Sequence, residues 1–265
     1  MRSLVRQSSL VIGFIAICSV TTVLAQNADN EYQVGAILWT QTSAEKAALS
    51  YQAFSLARLR LDQDFRAHRN RRVKRAVIVD VDETVLDNSR YQAKLAKEQK
   101  PFEAKTWTDW CNSAQATALP GAVEFLRYAN SRGVRVFYIT NRRVAEKDGT
   151  ARNLRALGFP DVTDDTLLVR TDGSTKEPRR QSVAAKYRIV LLMGDNLNDF
   201  AEVFEKSKTI DSRISAADQN KSQFGSRFIV LPNPMYGAWE DAVYGDGRLT
   251  DEQKAEKRKA TLRGY

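Results

Sequence analysis

The stretch VIVDVDETVLDN, from Val77 to Asn88, decides the fold of this chain. An apolar, β-branched run leads into Asp80, and Asp82 follows two residues later. A short apolar run of this kind, here after a basic cluster, is typical of a buried parallel strand. Open α/β sheets bind their ligands at the carboxyl ends of such strands. The pattern therefore places two carboxylates at a ligand-binding edge, where both would be close to a metal ion.

An acidic pair after a strand also occurs in solvated turns, so the interpretation depends on segments further along the chain. The run VRVFYITNRR, from Val134 to Arg143, is again apolar and rich in β-formers, and it ends in Thr140 and Asn141. A hydroxyl and an amide can donate hydrogen bonds to phosphoryl oxygens without adding charge. These two side chains are therefore candidate substrate ligands.

Two more segments complete the series. Lys176, in GSTKEPRRQ, precedes a predicted helix, and the apolar run of IVLLMGDNLNDF delivers Asp195 and, four residues later, Asp199. Each segment alone has an ordinary explanation as a turn, a surface lysine or a helix cap. Four such segments in this order favour one common site over four unrelated turns.

The motifs resemble those of a known superfamily. DxDxT at a strand end resembles motif I of the haloacid dehalogenase (HAD) superfamily of phosphotransferases. DVDETVLDNSRY and GDNLNDF resemble the paired signatures of the bacterial class C nonspecific acid phosphatases. The segment from Tyr32 to Phe54 resembles the start of the branch known as 5′-nucleotidase, lipoprotein type. The resemblance runs from about Tyr32 to about Trp239.

A magnesium ion would serve this chemistry, because it cancels the repulsion between an anionic nucleophile and an anionic phosphoryl group. Mg²⁺ takes oxygen ligands, which the carboxylates of Asp80 and Asp195 supply. The resemblance implies that the Asp82 main-chain carbonyl is the third protein ligand. Asp199 is expected to orient a water molecule on the ion.

Asp80 would act as the nucleophile and form an aspartyl-phosphate. Asp82 would protonate the leaving alkoxide and then activate the attacking water, which requires a turn directly after Asp80. An acid that must hold a proton predicts an acid pH optimum, and no second cation beside Asp82 is identified in the sequence. Lys176 would pair with Asp80 and the phosphoryl group. Arg142 and Arg143 would either reach the substrate or be surface charge.

Aromatic residues in segments predicted to overhang the strand ends are candidates for the substrate pocket. Trp107 and Tyr236 would either stack on a nucleobase or pack in the core. The resemblance favours phosphate monoesters as partners, among them 5′-nucleotides, nicotinamide mononucleotide and aryl phosphates. Some members are dimers, so a homodimer is an open expectation.

Alternating strands and helices predict an α/β fold, a HAD-like doubly wound parallel (Rossmann-like) sheet with a small helical domain over the strand ends. Residues 1–25 have a basic start, an apolar core and a small-residue cleavage site, as in a secretory signal. Residues 26–265 would form a single domain, with 26–75 and 89–118 contributing the helical part. Within the latter, Phe102–Ala118 is expected to be irregular.

The signal contains two arginines, so its removal leaves about +7 of the formal net charge of +9. A basic surface attracts anionic substrates. The arginines form no stripe interleaved with aromatics, so nucleic acid is not an expected partner. The densest run, Arg66 to Arg75, is expected to be a solvated linker. Cys111, the one cysteine outside the signal, is expected to be buried and inert.

The expected location is periplasmic or secreted, without stable membrane insertion. Cys18 follows Ile17 and is a poor lipidation site, so a lipid anchor is disfavoured. The alternatives are a non-catalytic nucleotide- or haem-binding surface protein on the same fold, or a HAD phosphotransferase. A histidine-based phosphatase is excluded, because the single histidine, His68, lies in the basic run and not in an RHG motif.

Overall fold

The computed structural model describes residues 30–68, 70 and 72–265. Seven strands lie in these ranges: β1 (Arg75–Val79), β2 (Leu86–Asp87), β3 (Thr117–Ala118), β4 (Arg135–Arg143), β5 (Leu167–Arg170), β6 (Arg188–Gly194) and β7 (Phe228–Val230). Five of them form a parallel sheet in the order β5-β4-β1-β6-β7, and β2 pairs with β3 in an antiparallel ribbon. The parallel order with β1 at its centre confirms the predicted doubly wound sheet.

Eleven α-helices lie in the described ranges. They are α1 (Val34–Thr42), α2 (Ala44–Ala67), α3 (Ser89–Glu98), α4 (Ala104–Ser113), α5 (Ala122–Ser131), α6 (Lys147–Leu157), α7 (Glu177–Ala184), α8 (Glu202–Lys206), α9 (Ile210–Gln219), α10 (Ala238–Tyr244) and α11 (Asp251–Thr261). Short 3₁₀ turns occupy Glu31–Gln33, Val144–Glu146, Leu197–Asp199 and Lys221–Gln223.

Both faces of the sheet are covered, as a parallel sheet requires. Alternate residues of β1 separate into two cores: Val77 and Val79 pack with residues of α2, α5 and α6. Ala76 and Ile78 pack with residues of α7, α8 and α9 on the other face. All five β1 residues are buried, and the four that follow Arg75 form a continuous apolar run.

The predicted strands that lead to Asp80, Asn141 and Asp195 are present as β1, β4 and β6, but the expectation for Phe102–Ala118 is wrong. Residues Ala104–Ser113 form helix α4. Trp107, Trp110 and Cys111 recur at helical spacing and give α4 an inner face, which packs near Tyr91. Cys111 is buried as expected, and burial raises the pKa of its thiol.

The basic run before β1 is only partly solvated. Arg75 is buried, and its guanidinium donates to Asp64 at 2.8 Å and to the His68 carbonyl. Asp64 also accepts from Arg188 at 2.7 Å, so one carboxylate of α2 joins the starts of β1 and β6. This part of the linker is therefore structural, contrary to the sequence-based expectation.

Residues 1–25, and with them Cys18, lie outside the described residues. Within the described ranges, no helix combines the length and the apolar character that crossing a bilayer requires. Helix α2 packs on α5, β6 and β7, whereas α3 and α4 lie near the carboxyl end of β1. The division into a sheet domain and a helical subdomain stays a prediction.

Candidate active site

The predicted site residues meet at one edge of the sheet. Asp80 directly follows β1, Asn141 lies near the end of β4, and Asp195 directly follows β6. Because β4 and β6 flank β1 in the sheet, these three strand ends are neighbours. The edge between them is the switch point at which doubly wound sheets bind ligands.

A compact turn brings Asp82 to the same place as Asp80. The amide groups of Val85 and Leu86 both donate to the Val81 carbonyl, at 3.0 and 2.9 Å. Glu83 adopts a left-handed backbone conformation, with φ of 56°. The chain therefore reverses directly after β1, as predicted, and both aspartates line one cavity.

Lys176 lies between two carboxylates. Its ammonium group donates to Asp80 Oδ1 and to Asp199 Oδ1, the latter at 2.7 Å, and all three side chains are buried. Burial opposes the lysine charge, but Asp199 and Asp80 outweigh it and raise the pKa of Lys176. Within residues 30–68, 70 and 72–265, no side chain or backbone amide donates a hydrogen bond to the second Asp80 oxygen, Oδ2. One oxygen of Asp80 is thus held in place and the other is available for chemistry.

Asp195 completes an acidic cluster. One oxygen each of Asp80, Asp195 and Asp199 lie within 4.8 Å of one another. Thr84 donates to Asp195 Oδ1 at 3.2 Å and Asn233 to its Oδ2 at 2.8 Å. Burial raises the pKa of Asp80 to about 7. Lys176 lowers it, but repulsion from Asp199 adds to burial, so Lys176 only partly offsets the rise.

The same cluster fits a divalent cation. Burial, and then repulsion from Asp199 and Asp80, raises the pKa of Asp195 well above its ordinary range. A bound cation favours the charged form of each carboxylate. Both Asp199 oxygens already accept protein hydrogen bonds, from Lys176 and from the Asn196 amide. Both Asp195 oxygens also accept protein hydrogen bonds, so this feature does not separate the two residues, and the outer-shell role of Asp199 stays a prediction.

Arg142 is the main site residue that the sequence analysis did not place. Arg142 is 1% exposed, and its guanidinium donates from Nε and Nη2 to Asp82 Oδ1, at 2.9 and 2.8 Å. Asn88 also donates to this oxygen, at 2.9 Å. A second cation therefore does stand beside Asp82, and the contrary expectation is wrong. Arg143, the neighbouring candidate, is exposed.

The two predicted phosphoryl ligands of β4 differ in their surroundings. The Thr140 hydroxyl is fully buried, donates to Asp82 Oδ2 at 3.4 Å and accepts from the Arg142 amide at 3.0 Å. Asn141 lines the cavity, and its Oδ1 accepts from Arg179 at 2.7 Å. With the amide oxygen engaged, the Asn141 NH₂ group remains as a donor for a ligand. The roles of both residues stay predictions.

The cavity above the carboxylates has a volume of about 490 Å³. Trp107 lines it and makes an edge contact with Tyr91, with ring centres 5.1 Å apart. Tyr236 also lines it, and its hydroxyl donates to Glu83. Both aromatic residues thus pack against the protein and also present a surface to the cavity. Trp110 instead donates to Asn88.

Glu83 was also missed by the sequence analysis. Burial and the charge of Asp82 raise the pKa of Glu83 to about 8, against the hydrogen bond from Tyr236. Its Oε1 accepts from the Asn88 amide at 2.8 Å. Glu83 thus links the turn after β1 to the segment that carries Tyr236.

Comparison with known proteins agrees with this geometry. Residues 13–239 match the family described as HAD superfamily, subfamily IIIB (acid phosphatase). The chain belongs to this subfamily. Among solved structures it is similar to the class C acid phosphatase from Bacillus anthracis, with 40% identity and a TM-score of 0.84. That similarity covers 89% of this chain and 98% of the other, and a second structure of the Bacillus protein has tungstate bound.

Curated relatives of this HAD subfamily IIIB chain are more distant. It is 27% identical to a stem 31 kDa glycoprotein of Glycine max and 28% identical to acid phosphatase 1 of Solanum lycopersicum. Each alignment covers 60% of this chain, and 58% and 57% of the respective relative. The chain thus spans less than two thirds of the length of these two relatives. The fold and family predicted from the sequence are confirmed.

Proposed function

We propose that this chain is a Mg²⁺-dependent acid phosphatase that hydrolyses phosphate monoesters through an aspartyl-phosphate on Asp80. The observation that carries the proposal is the pairing of a buried, lysine-held Asp80 with an arginine-held Asp82 in one cavity. The related Bacillus protein has been solved with tungstate, a tetrahedral oxyanion like phosphate. Family membership supports the same reaction class.

The donor set suits magnesium. Asp80 and Asp195 would hold the ion with the Asp82 carbonyl, since hard oxygen ligands are those that Mg²⁺ prefers. The bound ion would neutralise negative charge between the nucleophile and the phosphoryl group. Lys176 performs a related task from the protein side, because it keeps the Asp80 and Asp199 carboxylates together.

Asp80 supplies the nucleophile through the oxygen that Lys176 does not hold. This oxygen attacks phosphorus in line with the leaving group, the phosphorus–oxygen ester bond breaks, and an acyl phosphate forms. The Asn141 NH₂ group donates to a non-bridging oxygen and fixes the phosphoryl group. Because Asp80 is anchored through its other oxygen, little reorganisation precedes the attack.

Asp82 moves the protons. It gives a proton to the departing alkoxide and later takes one from the water that hydrolyses the acyl phosphate. Arg142 and Asn88 hold Oδ1, so the proton is exchanged at Oδ2, where Thr140 is the other neighbour. The need for a protonated acid in the first step favours turnover below neutral pH.

The cavity walls favour substrates with a flat organic part. Trp107 and Tyr236 line the space beyond the carboxylates, and aromatic faces there can stack on a base or an aryl ring. We therefore propose 5′-nucleotides, nicotinamide mononucleotide and aryl phosphates as substrates. The basic, signal-like residues 1–25 support export to the periplasm or beyond.

The test is phosphate release from p-nitrophenyl phosphate and adenosine 5′-monophosphate in mildly acidic buffer, with Mg²⁺ or with a chelator. We expect metal-dependent turnover by the wild type and none by Asp80→Asn. Asp109→Asn, a charge-matched change on the exposed side of α4, serves as the control and should leave turnover unchanged.

Asp82→Asn separates the two chemical steps. p-Nitrophenolate leaves without a proton, so this variant should give one rapid equivalent of nitrophenolate and then stall at the acyl phosphate. Nitrophenolate release without a burst, at the wild-type steady rate, would exclude Asp82 as the base. A folded wild-type protein that is inactive with every substrate would refute the phosphatase.

A further inference from the structure

The cavity above Asp80 has one wall that lies outside the family match. That match ends at residue 239, whereas helix α11 begins at Asp251. Three α11 side chains nevertheless line the same cavity as Asp80 and Trp107: Asp251, Lys254 and Arg258. A segment beyond the family match therefore shapes the space into which a substrate would extend.

Helix α11 is fixed in this position by contacts on two sides. The Arg258 guanidinium lies 3.8 Å from the centre of the Tyr32 ring and donates to the Tyr244 hydroxyl at 2.9 Å. Lys257 donates to the Tyr244 carbonyl at 2.6 Å. The hydroxyls of Tyr32 and Tyr244 both donate to the buried Glu240, at 2.6 Å. The α11 side chains thus have a defined place in the cavity wall.

The α11 side chains in this wall carry a net charge of +1, from the cations Lys254 and Arg258 and the carboxylate Asp251. Lys254 is 39% exposed, lies 3.8 Å from Asp251 and 5.8 Å from the centre of the Tyr244 ring. An ion pair this long and this exposed is weak, so an anionic ligand group can compete with Asp251 for the ammonium. If the phosphate to be cleaved lies at Asp80, the α11 side chains that line the same cavity are left to meet the rest of the substrate.

We propose that Lys254 and Arg258 form a second anion-binding subsite. It selects phosphate monoesters that carry another anionic group distant from the scissile phosphate, such as a nucleoside with phosphates on both its 5′ and 3′ oxygens. A cavity of about 490 Å³ is within the range that holds small-molecule ligands of this size. The inference rests on the proposed phosphatase function for the position of the first phosphate.

The test compares kcat/KM for 5′-phosphate release from adenosine 3′,5′-bisphosphate and from adenosine 5′-monophosphate. We expect the wild type to prefer the bisphosphate. Lys254→Gln should lower the ratio of the two constants about fivefold, the upper range for one partly exposed charge contact. Lys254→Arg should keep most of the preference. Lys259→Gln, the same change at an exposed α11 position outside the cavity, should leave the ratio unchanged.

A binding measurement separates this inference from the phosphatase proposal. Calorimetric Kd values for both nucleotides are measured in the Asp80→Asn background, with and without Lys254→Gln. If the wild type hydrolyses neither nucleotide, the phosphatase proposal fails and the ratio of Kd values still decides the subsite. A ratio that Lys254→Gln leaves unchanged, in binding and in turnover, overturns the subsite. The subsite is supported if Lys254→Gln lowers the ratio of the adenosine 5′-monophosphate Kd to the bisphosphate Kd, and if high salt lowers the same ratio in the protein that retains Lys254.

Discussion

Replacement of Arg142 by methionine tests how the Asp82 carboxylate is held. The guanidinium donates twice to Asp82, once to Asn88 at 3.1 Å and once to Thr150 at 3.0 Å. Methionine fills much of the same buried volume but provides neither charge nor donors. The change therefore removes the hydrogen bonds and leaves most of the packing.

The structure sets the expected size of two losses, one in the free energy of unfolding and one in kcat. Removal of one partner of a buried ion pair costs about 3–5 kcal/mol. The Asp82 side chain retains 20% exposure. Water can thus relieve part of the penalty, so we expect a loss of about 3 kcal/mol in the free energy of unfolding. A misplacement of about 1 Å in a catalytic group costs about 10²-fold in rate, which is the loss of kcat that we expect.

The assay is a double-mutant cycle with Arg142→Met, Asp82→Asn and the combined variant. If Arg142 acts by positioning Asp82, the combined variant will be no slower than Asp82→Asn, because the positioned group is already inactive. Arg143→Met, on the adjacent exposed side chain, should change neither kcat nor stability. Losses that multiply in the combined variant would refute the reasoning, as they would mean that Arg142 acts on the substrate directly.

Three further predictions follow from other contacts. Burial opposes ionisation of Asp64, but hydrogen bonds from Arg75 and Arg188 outweigh it and lower the pKa of this carboxyl. The ionised carboxylate therefore stabilises the fold above the pKa of the unfolded chain, and this stabilisation is lost as the pH falls through the folded-state pKa. Urea unfolding of Asp64→Asn should therefore show a deficit of about 3 kcal/mol at pH 7 that shrinks below about pH 4. Lys176→Met leaves two carboxylates facing each other, so its urea midpoint should fall and should recover more with added Mg²⁺ than that of the wild type. Saturating Mg²⁺ at about 100 times its Kd should add about 2.7 kcal/mol to wild-type stability, seen as a rise in Tm that Asp195→Asn abolishes.

The fold was accessible from the sequence because its parallel strands are buried on both faces. The runs ending at Asp80 and Asp195 are uninterrupted apolar segments, and such segments permit few other arrangements. Helix α4 was missed because its apolar positions are tryptophans and a cysteine separated by polar residues. Helix α9 (Ile210–Gln219) was missed because its inner face is weak, with only Arg213 and Ala216 buried.

The sequence identified those site residues that directly follow a predicted strand. It did not identify Arg142, because the strand that carries it continues further than predicted. The sequence analysis ended β4 at Asn141, whereas the strand runs to Arg143. In a strand, side chains two residues apart point to the same side, so Arg142 shares the side of Thr140 and reaches Asp82. Extending the predicted strand by two residues would have placed Arg142 on the same side as Thr140. The α11 wall had no such signal, because a charged helix near the chain end looks like any surface helix.

Each of the two motif aspartates has its own cation, and this separation would let residues two positions apart take the different roles proposed for them. Lys176 holds one oxygen of Asp80 in a buried setting, which would suit the proposed nucleophile. Arg142 holds Asp82 where it keeps contact with solvent, which suits a group that must exchange protons twice per cycle. The carboxylates around the cavity still outnumber these two cations, and a phosphate ester would add further negative charge. If these carboxylates hold Mg²⁺ as proposed, we expect the metal to bind before the substrate, and at low Mg²⁺ the apparent KM should rise more steeply than kcat falls.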